Sequence, residues 1–142
     1  MPSHDIHVIN SNLQKLDVWL HQLQEELHLD PPFCFQALRA VLHMLRDRIT
    51  VEEAAHFGAQ LPLIIRGLFF ENWHPAGTPE RIRHADEFFQ RISELEGHGH
   101  DPHDLFRAVI RVLHEHLSEG QLEQVRHMLP KEIAEEWQAV RS

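Results

Sequence analysis

Apolar residues recur in alternating steps of three and four along the first part of the chain. They occupy Ile6, Ile9, Leu13, Leu16, Leu20, Leu23 and Leu27. Because this spacing places the side chains along one side of an α-helix, it predicts a long first helix with a single apolar seam.

Helix-start signals predict the next two elements. Asp30, which two prolines follow, can cap a second helix. Thr50 and Glu53 have the spacing of a capping box, so a third helix begins there. Pro62 lacks an N–H and disfavours helix at the residue before it, so this helix should break or kink before Leu63.

The second half of the chain repeats these signals in the same order. Residues 79–95 are predicted to form a helix that a proline opens, and Asp101 opens the next one. Ser118 with Gln121 forms another capping box, and residues 130–137 form a short terminal helix. No segment shows the sustained period of two that strands require, so the pattern predicts an all-α fold.

The chain contains an internal repeat. Residues 30–43 recur as residues 101–114, with matching phenylalanine, alanine, valine, leucine and histidine positions. Two copies of one helical unit are therefore expected, at about 5–73 and about 79–140, joined by a linker at 74–78. The 142 residues fit one domain, so we predict a compact helical bundle built from two pseudo-repeated units.

The charge of the chain argues against a nucleic-acid partner. Thirteen Lys and Arg stand against 22 Asp and Glu, which gives a net charge of −9 with neutral histidines. Both halves share the acidic excess, so neither offers the basic stripe that phosphate groups require. Thr50 and Gly58 imitate the spacing of a helix-turn-helix, but the helix that follows is apolar and cannot read base edges.

Composition also bears on location and reactivity. No apolar run approaches the roughly 18 residues of a membrane span, and no secretory signal opens the chain, so we expect a cytoplasmic protein without membrane contact. The single cysteine, Cys34, excludes an intrachain disulfide, and its apolar neighbours predict inert core packing. The 14 histidines fit either a solvated surface or a response to acidic pH.

One loop carries candidate metal ligands. His98, His100 and His103 surround Asp101, and imidazole and carboxylate groups bind Zn²⁺ or Ni²⁺. The alternative is a polar loop with incidental affinity, because the matching Asp-Pro of the first half has no histidine cluster beside it. Apart from this metal, the sequence implies no cofactor.

The predicted helix over residues 63–70 is apolar around its whole circumference. Such a helix lies at the centre of a bundle or is covered by another chain. Arg66 is its only charge and needs a carboxylate or carbonyl partner when desolvated. Core packing with a structural ion pair is one interpretation. The other is a partner or oligomer interface that uses Arg66, Phe69, Phe70 and Trp73.

A known family shares the long central motif of this chain. Residues 39–83, RAVLHMLRDRITVEEAAHFGAQLPLIIRGLFFENWHPAGTPERIR, resemble the signature of the bacterial domain-of-unknown-function family DUF2267, and residues 118–137 resemble its C-terminal pattern. Phe69, Phe70 and Asn72 stand where the family often has two tyrosines and a glycine, so roles that need those phenols do not carry over. The resemblance implies a bacterial helical domain and no reaction.

Motifs for catalysis are missing from the sequence. It contains no glycine-rich phosphate loop, nucleophile elbow, cysteine pair or His-Glu-x-x-His motif. We therefore expect a non-catalytic module that acts through protein contacts or self-association, either as an interaction module or as a stress accessory. The alternative function is transition-metal binding or sensing through residues 98–103.

Overall fold

A computed structural model describes residues 3–141, and the side chains of residues 6–140. Within that range the chain forms eight α-helices, one short 3₁₀ turn and no strand. The helices are α1 (Ser3–Leu27), α2 (Pro31–Arg48), α3 (Val51–Ala59), α4 (Leu63–Phe70), α5 (Ala85–Glu96), α6 (Pro102–His116), α7 (Glu119–His127) and α8 (Lys131–Arg141). The 3₁₀ turn spans Pro75–Gly77. The all-α prediction is confirmed.

Helices α2 and α6 form the centre of the bundle. Helix α2 packs against α1, α4, α5 and α6, and α6 packs against α1, α2, α5, α7 and α8. Leu38 and Leu42 of α2 and Phe106 and Leu113 of α6 are fully buried. These residues belong to one hydrophobic cluster that includes both halves of the chain, so neither half encloses a separate core.

Side chains cap three of the helices as the sequence predicts. The hydroxyl of Thr50 accepts a hydrogen bond from the N–H of Glu53, and the hydroxyl of Ser118 accepts one from the N–H of Gln121. The Asp101 carboxylate caps α6, but Asp30, which holds the matching place before α2, makes no side-chain cap bond. The prolines that follow Asp30 begin α2 without it, because their fixed φ suits the first turn.

The helix predicted over residues 79–95 begins six residues later than expected, since α5 starts at Ala85. The intervening chain crosses the end of α2. The N–H of Glu80 donates to the carbonyl of Asp47 at 2.7 Å, and the side chain of Ile82 is buried. These contacts with α2 replace the helical hydrogen bonds that a proline start alone would predict.

The order of helices and caps is similar in the two halves of the chain. Helices α2, α3 and α4 follow one another as α6, α7 and α8 do, with a proline directly before α4 and before α8. The pseudo-repeat of units 5–73 and 79–140 stays a prediction, which a superposition of the two halves would test.

The first half of α1 extends past the body of the bundle. Trp19 and Leu23 are buried, whereas every residue from Ile6 to Asn10 is exposed. Among the described residues, no helix combines the length and the hydropathy needed to cross a bilayer.

Candidate functional site

The histidine-rich loop between α5 and α6 is organised by one buried carboxylate. Glu96 is only 2% exposed and accepts hydrogen bonds from the backbone N–H groups of His98 at 3.1 Å and His100 at 3.3 Å. Its other oxygen lies 2.8 Å from Nδ1 of His100. Gly97 and Gly99 have φ angles of 76° and 79°, which turn the loop back toward this carboxylate. No pattern in the sequence predicted that Glu96 would be buried.

Opposing effects act on the Glu96 carboxyl group. Burial raises its pKa. Hydrogen bonds from the His100 side chain and from the backbone N–H groups of His98 and His100 together lower the pKa by more than burial raises it, so the pKa of Glu96 lies below its ordinary value. The carboxylate is therefore charged at neutral pH and holds the loop as a hydrogen-bond acceptor.

The imidazoles of the loop pack against aromatic rings. The rings of His98 and His100 meet the ring of Phe33 edge-on, at centroid distances of 4.9 and 5.4 Å. His103 lies instead on Phe89, with stacked rings 3.8 Å apart.

The predicted metal ligands do not converge. Nδ1 of His103 lies 2.9 Å from a carboxylate oxygen of Glu136 on α8, whereas His100 is paired with Glu96. Among the residues whose side chains are described, no group of three or more His, Cys, Asp or Glu has an arrangement that could hold a metal ion. The loop thus offers no preassembled ligand set.

Arg66 finds the carbonyl partners that its position on α4 requires. Nη2 donates to the carbonyl oxygens of Leu61 at 3.0 Å and Ala59 at 3.3 Å. These carbonyls lie at and just beyond the end of α3, so Arg66 fixes the elbow between α3 and α4, defined as residues 59–63. Nε of Arg66 is covered and has no hydrogen-bond partner among the described residues.

The three aromatic residues of the predicted interface have different environments. Phe69 is fully buried, with Phe57 and Phe70 at ring distances of 5.4 and 5.0 Å. Phe70 and Trp73 are half-buried and lie 5.2 Å apart. Phe69 therefore belongs to the intramolecular core, whereas Phe70 and Trp73 reach the surface.

Two side chains of α2 bind the end of α4, and the sequence analysis did not identify either of them. Arg46 is almost fully buried and donates from Nη1 to the carbonyl oxygens of Phe69 at 2.9 Å and Glu71 at 2.6 Å. Nε2 of His43 lies 2.8 Å from the carbonyl oxygen of Leu68. These residues satisfy carbonyls that the end of a helix leaves free.

The buried position of His43 shifts its titration. Burial is the largest effect and lowers the pKa of His43 below 6.5. The hydrogen bond with the Leu68 carbonyl is the next largest effect and raises the pKa, Arg46 lowers it, and the carboxylates of Glu71 and Asp47 raise it by less. Burial likewise raises the pKa of Cys34, with a further contribution from Asp30, as expected for an inert core thiol.

An open groove of about 640 Å³ lies between α1 and the elbow. Its lining includes Lys15, Val18 and Trp19 of α1, the whole elbow, Arg66, and His116 at the end of α6. Lys15 and Arg66 are cations, and among the residues whose side chains are described no Asp or Glu lines the groove. In a chain of net charge −9, this groove is a local exception that composition did not predict.

A stacked pair of rings forms the inner end of the groove. The rings of Trp19 and His116 are stacked 4.8 Å apart with an interplanar angle of 14°. Nε2 of His116 donates a hydrogen bond to the Gln22 amide oxygen at 2.7 Å. Burial lowers the pKa of His116. The imidazole is therefore neutral at neutral pH and acts as an aromatic surface.

Large apolar side chains are exposed on α1 and beside the groove. Within the described part of the chain there are eight such residues, and six of them are Ile6, Val8, Ile9, Leu13, Val18 and Leu63. Leu63 and Ile9 are 57% and 60% exposed. The first five lie on α1, and Leu63 lines the groove.

The comparison with protein families extends over most of these elements. Residues 16–136 match the model of a family described as an uncharacterized conserved protein, DUF2267. This match confirms the resemblance carried by residues 39–83 and 118–137. It begins within α1, after the exposed first half of that helix. No curated protein matches the chain.

Proposed function

Since the chain belongs to the DUF2267 family, whose description carries no activity, we propose from its own surfaces that it is a non-catalytic protein–protein interaction module. The binding element is the free first half of α1. The observation that carries this proposal is the exposure of Ile6, Val8, Ile9 and Leu13 on a helix end that no described part of the chain covers. Clustered apolar surface of this kind is typical of protein contact sites.

The spacing of the exposed residues indicates the kind of partner. Ile6, Ile9 and Leu13 continue the seam with which Leu16 and Leu23 pack against the bundle. Apolar side chains spaced by three and four residues along a helix pack against a second helix, whose side chains fit between those of the first. The partner is therefore a helix of another protein or of a second copy of this chain.

Charge supports the same element. Residues 6–14 contain no Asp, Glu, Lys or Arg, although the whole chain has a net charge of −9. A partner, including a second acidic copy, can approach this segment without facing like charges at close range. As the sequence predicts, we place this module in the cytoplasm, and a stress-accessory role is one form that its protein contacts would take.

The residues predicted from sequence have a supporting part in this proposal. Arg66 holds the elbow beside α1, and Phe69 supports α4 from the core. Phe70 and Trp73 form a smaller, half-buried aromatic surface at the other end of α4. Zn²⁺ or Ni²⁺ binding at residues 98–103 is the weaker alternative, because ligation would have to replace the bonds of His100 and His103 to glutamates.

A matched pair of variants tests the proposal. Ile9→Ser with Leu13→Ser removes the seam, and Leu95→Ser removes an exposed leucine of α5 as the control. We expect the double variant to lose self-association in sedimentation, or specific partners in quantitative affinity capture, while Leu95→Ser keeps them. Neither variant should lower the thermal midpoint, because the replaced side chains are exposed. A monomeric chain whose captured proteins are unchanged by the double variant would contradict the proposal.

A further inference from the structure

We propose that the groove between α1 and the elbow is a binding site for a small amphiphilic carboxylate, a molecule with one anionic head and an apolar chain or ring. This site is separate from the apolar seam of α1. Lys15, which lines the groove, lies two positions after Leu13 and thus about 200° around the helix from it. Binding in the groove and helix pairing at the seam are therefore independent.

The groove is lined by two cations, and no Asp or Glu among the described residues lines it with them. Lys15 is exposed and makes no ion pair or hydrogen bond with a described residue. Arg66 uses Nη2 for two carbonyls, while its Nη1 donates to none of the described residues. A bound carboxylate would accept hydrogen bonds from these two cations.

The N-terminus of α4 adds to the same field. Pro62 and Leu63 line the groove at the start of this helix, where the first backbone N–H groups have no partner within the helix. The positive end of the helix dipole thus faces the groove and favours an anion. The carbonyl groups at the end of α3, which would oppose an anion, are covered by Arg66.

Apolar surface lies next to these charges. Trp19 and Leu61 are almost fully buried behind the groove, and the stacked pair of Trp19 and His116 holds its inner end. Val18 and Leu63 are about half exposed and form two of its apolar walls. An alkyl chain or aromatic ring would cover these side chains, and the removal of apolar surface from water would favour its binding.

The size of the groove selects a small molecule over a macromolecule. Its volume of about 640 Å³ lies within the range of small-ligand sites, which runs from about 300 to 1,000 Å³. Few convergent polar groups on an apolar surface are the usual composition of such sites. The geometry thus points to a monocarboxylate with a chain of roughly ten carbons or a ring system of similar size.

Dodecanoate is a suitable probe, and dodecyltrimethylammonium and acetate are matched controls. The first control keeps the alkyl chain and reverses the charge, whereas the second keeps the carboxylate and lacks the chain. In titration calorimetry with the full chain, we expect saturable binding of dodecanoate at micromolar to submillimolar concentration and no saturable binding of either control. In NMR spectra, the indole N–H signal of Trp19 should shift, while those of Trp73 and Trp137 should not.

Variants assign the binding to the groove. Lys15→Gln should weaken dodecanoate binding by about two- to fivefold, as loss of an exposed ion pair does. Arg66→Gln should weaken it by about tenfold or more, and Leu63→Ser should weaken it through the loss of apolar contact. Arg39→Gln, a change on α2 away from the groove, is the control and should have no effect.

Three outcomes would overturn the inference. They are equal binding of the cationic analogue, binding that Lys15→Gln leaves unchanged, and no saturable binding of dodecanoate up to about 1 mM. The Lys15 variant replaces an exposed side chain, so its result does not depend on a change in folding. Ile9→Ser with Leu13→Ser, which tests the seam, should leave dodecanoate binding intact, so failure of one proposal is distinguishable from failure of the other.

Discussion

Gly58 of α3 lies directly against the ring of Phe70 at the end of α4. A Cβ atom added at position 58 would overlap Cζ and Cε2 of Phe70 and would lie 3.2 Å from Cδ2 of Phe69. The two helices meet here with backbone against ring, so any side chain at position 58 requires the Phe70 ring to move. The same glycine that imitates a helix-turn-helix spacing in the sequence thus serves helix packing.

Gly58→Ala is expected to destabilise the protein by about 1–3 kcal/mol, because the added methyl group forces Phe70 out of its position. Chemical denaturation measures this loss. Gly67→Ala and Gly120→Ala are the matched controls, since both glycines are helical and have no atom within 4 Å of an added Cβ. Both controls should raise stability by about 0.5–1 kcal/mol through helix propensity. A neutral Gly58→Ala would show that the two helices separate easily.

Arg46 and Arg39 lie on the same helix, but the loss of each should have a different cost. Arg46→Met removes a buried guanidinium and leaves the carbonyls of Phe69 and Glu71 and the Asp47 carboxylate without their donor. We expect a loss of about 3–5 kcal/mol, as for one partner of a buried pair. Arg39→Met removes a half-exposed pair with Glu71 and should cost about 1 kcal/mol or less. Equal losses in denaturation experiments would contradict this account.

Local signals in the sequence predict the helices well. The prolines at 62 and 130 and the hydroxyls of Thr50 and Ser118 act on the backbone within a few residues, and here the helices begin where these local signals predict. The predicted start of α5 was wrong by six residues, because Glu80 and Ile82 contact α2, which is far away in the sequence. Such contacts override local propensity and leave no periodic trace.

The site residues were harder to predict for the same reason. The histidines at 98, 100 and 103 are close in sequence, yet the side chain of His100 pairs with Glu96 and that of His103, in the first turn of α6, pairs with Glu136 on α8, so the three do not form a ligand set. The groove could not be predicted, because its cations, Lys15 and Arg66, lie on α1 and α4, which are far apart in sequence and meet only in the folded bundle. The apolar pattern of α1 predicted a seam but not which half of it the bundle would cover.

Glu96→Gln is expected to loosen the histidine-rich loop. The amide oxygen can still accept from the backbone N–H groups of His98 and His100, but it is uncharged, and an NH2 group replaces the oxygen that faces Nδ1 of His100, so these bonds are weaker than those to the carboxylate. We expect a loss of about 1–3 kcal/mol and faster hydrogen exchange at the backbone N–H groups of His98 and His100. Glu94→Gln, an exposed change on the same helix, is the control and should alter neither quantity. Unchanged exchange in Glu96→Gln would show that other contacts fix the loop.

Acidification should destabilise the protein, with His43 as one cause. Its pKa in the folded state lies below the ordinary value of 6.5, so the unfolded chain binds the proton more tightly. The contribution of His43 to the free energy of unfolding is therefore complete above about pH 6.5 and decreases as the pH falls through the lowered pKa. Burial acts on His116 in the same direction.

The variant His43→Gln isolates this contribution. Glutamine keeps a side-chain N–H that can donate to the carbonyl oxygen of Leu68, but it does not titrate. Between about pH 7.5 and 5, the free energy of unfolding of the variant should depend less steeply on pH than that of the wild-type chain, because one proton-binding group of the unfolded state is removed. His21→Gln, which replaces an exposed histidine of α1, controls for the loss of an imidazole as such. If the free energy of unfolding of His43→Gln depends on pH as steeply as that of the wild-type chain, other groups cause the pH dependence. An NMR titration of the His43 ring in the wild-type chain should then show a pKa that is not shifted.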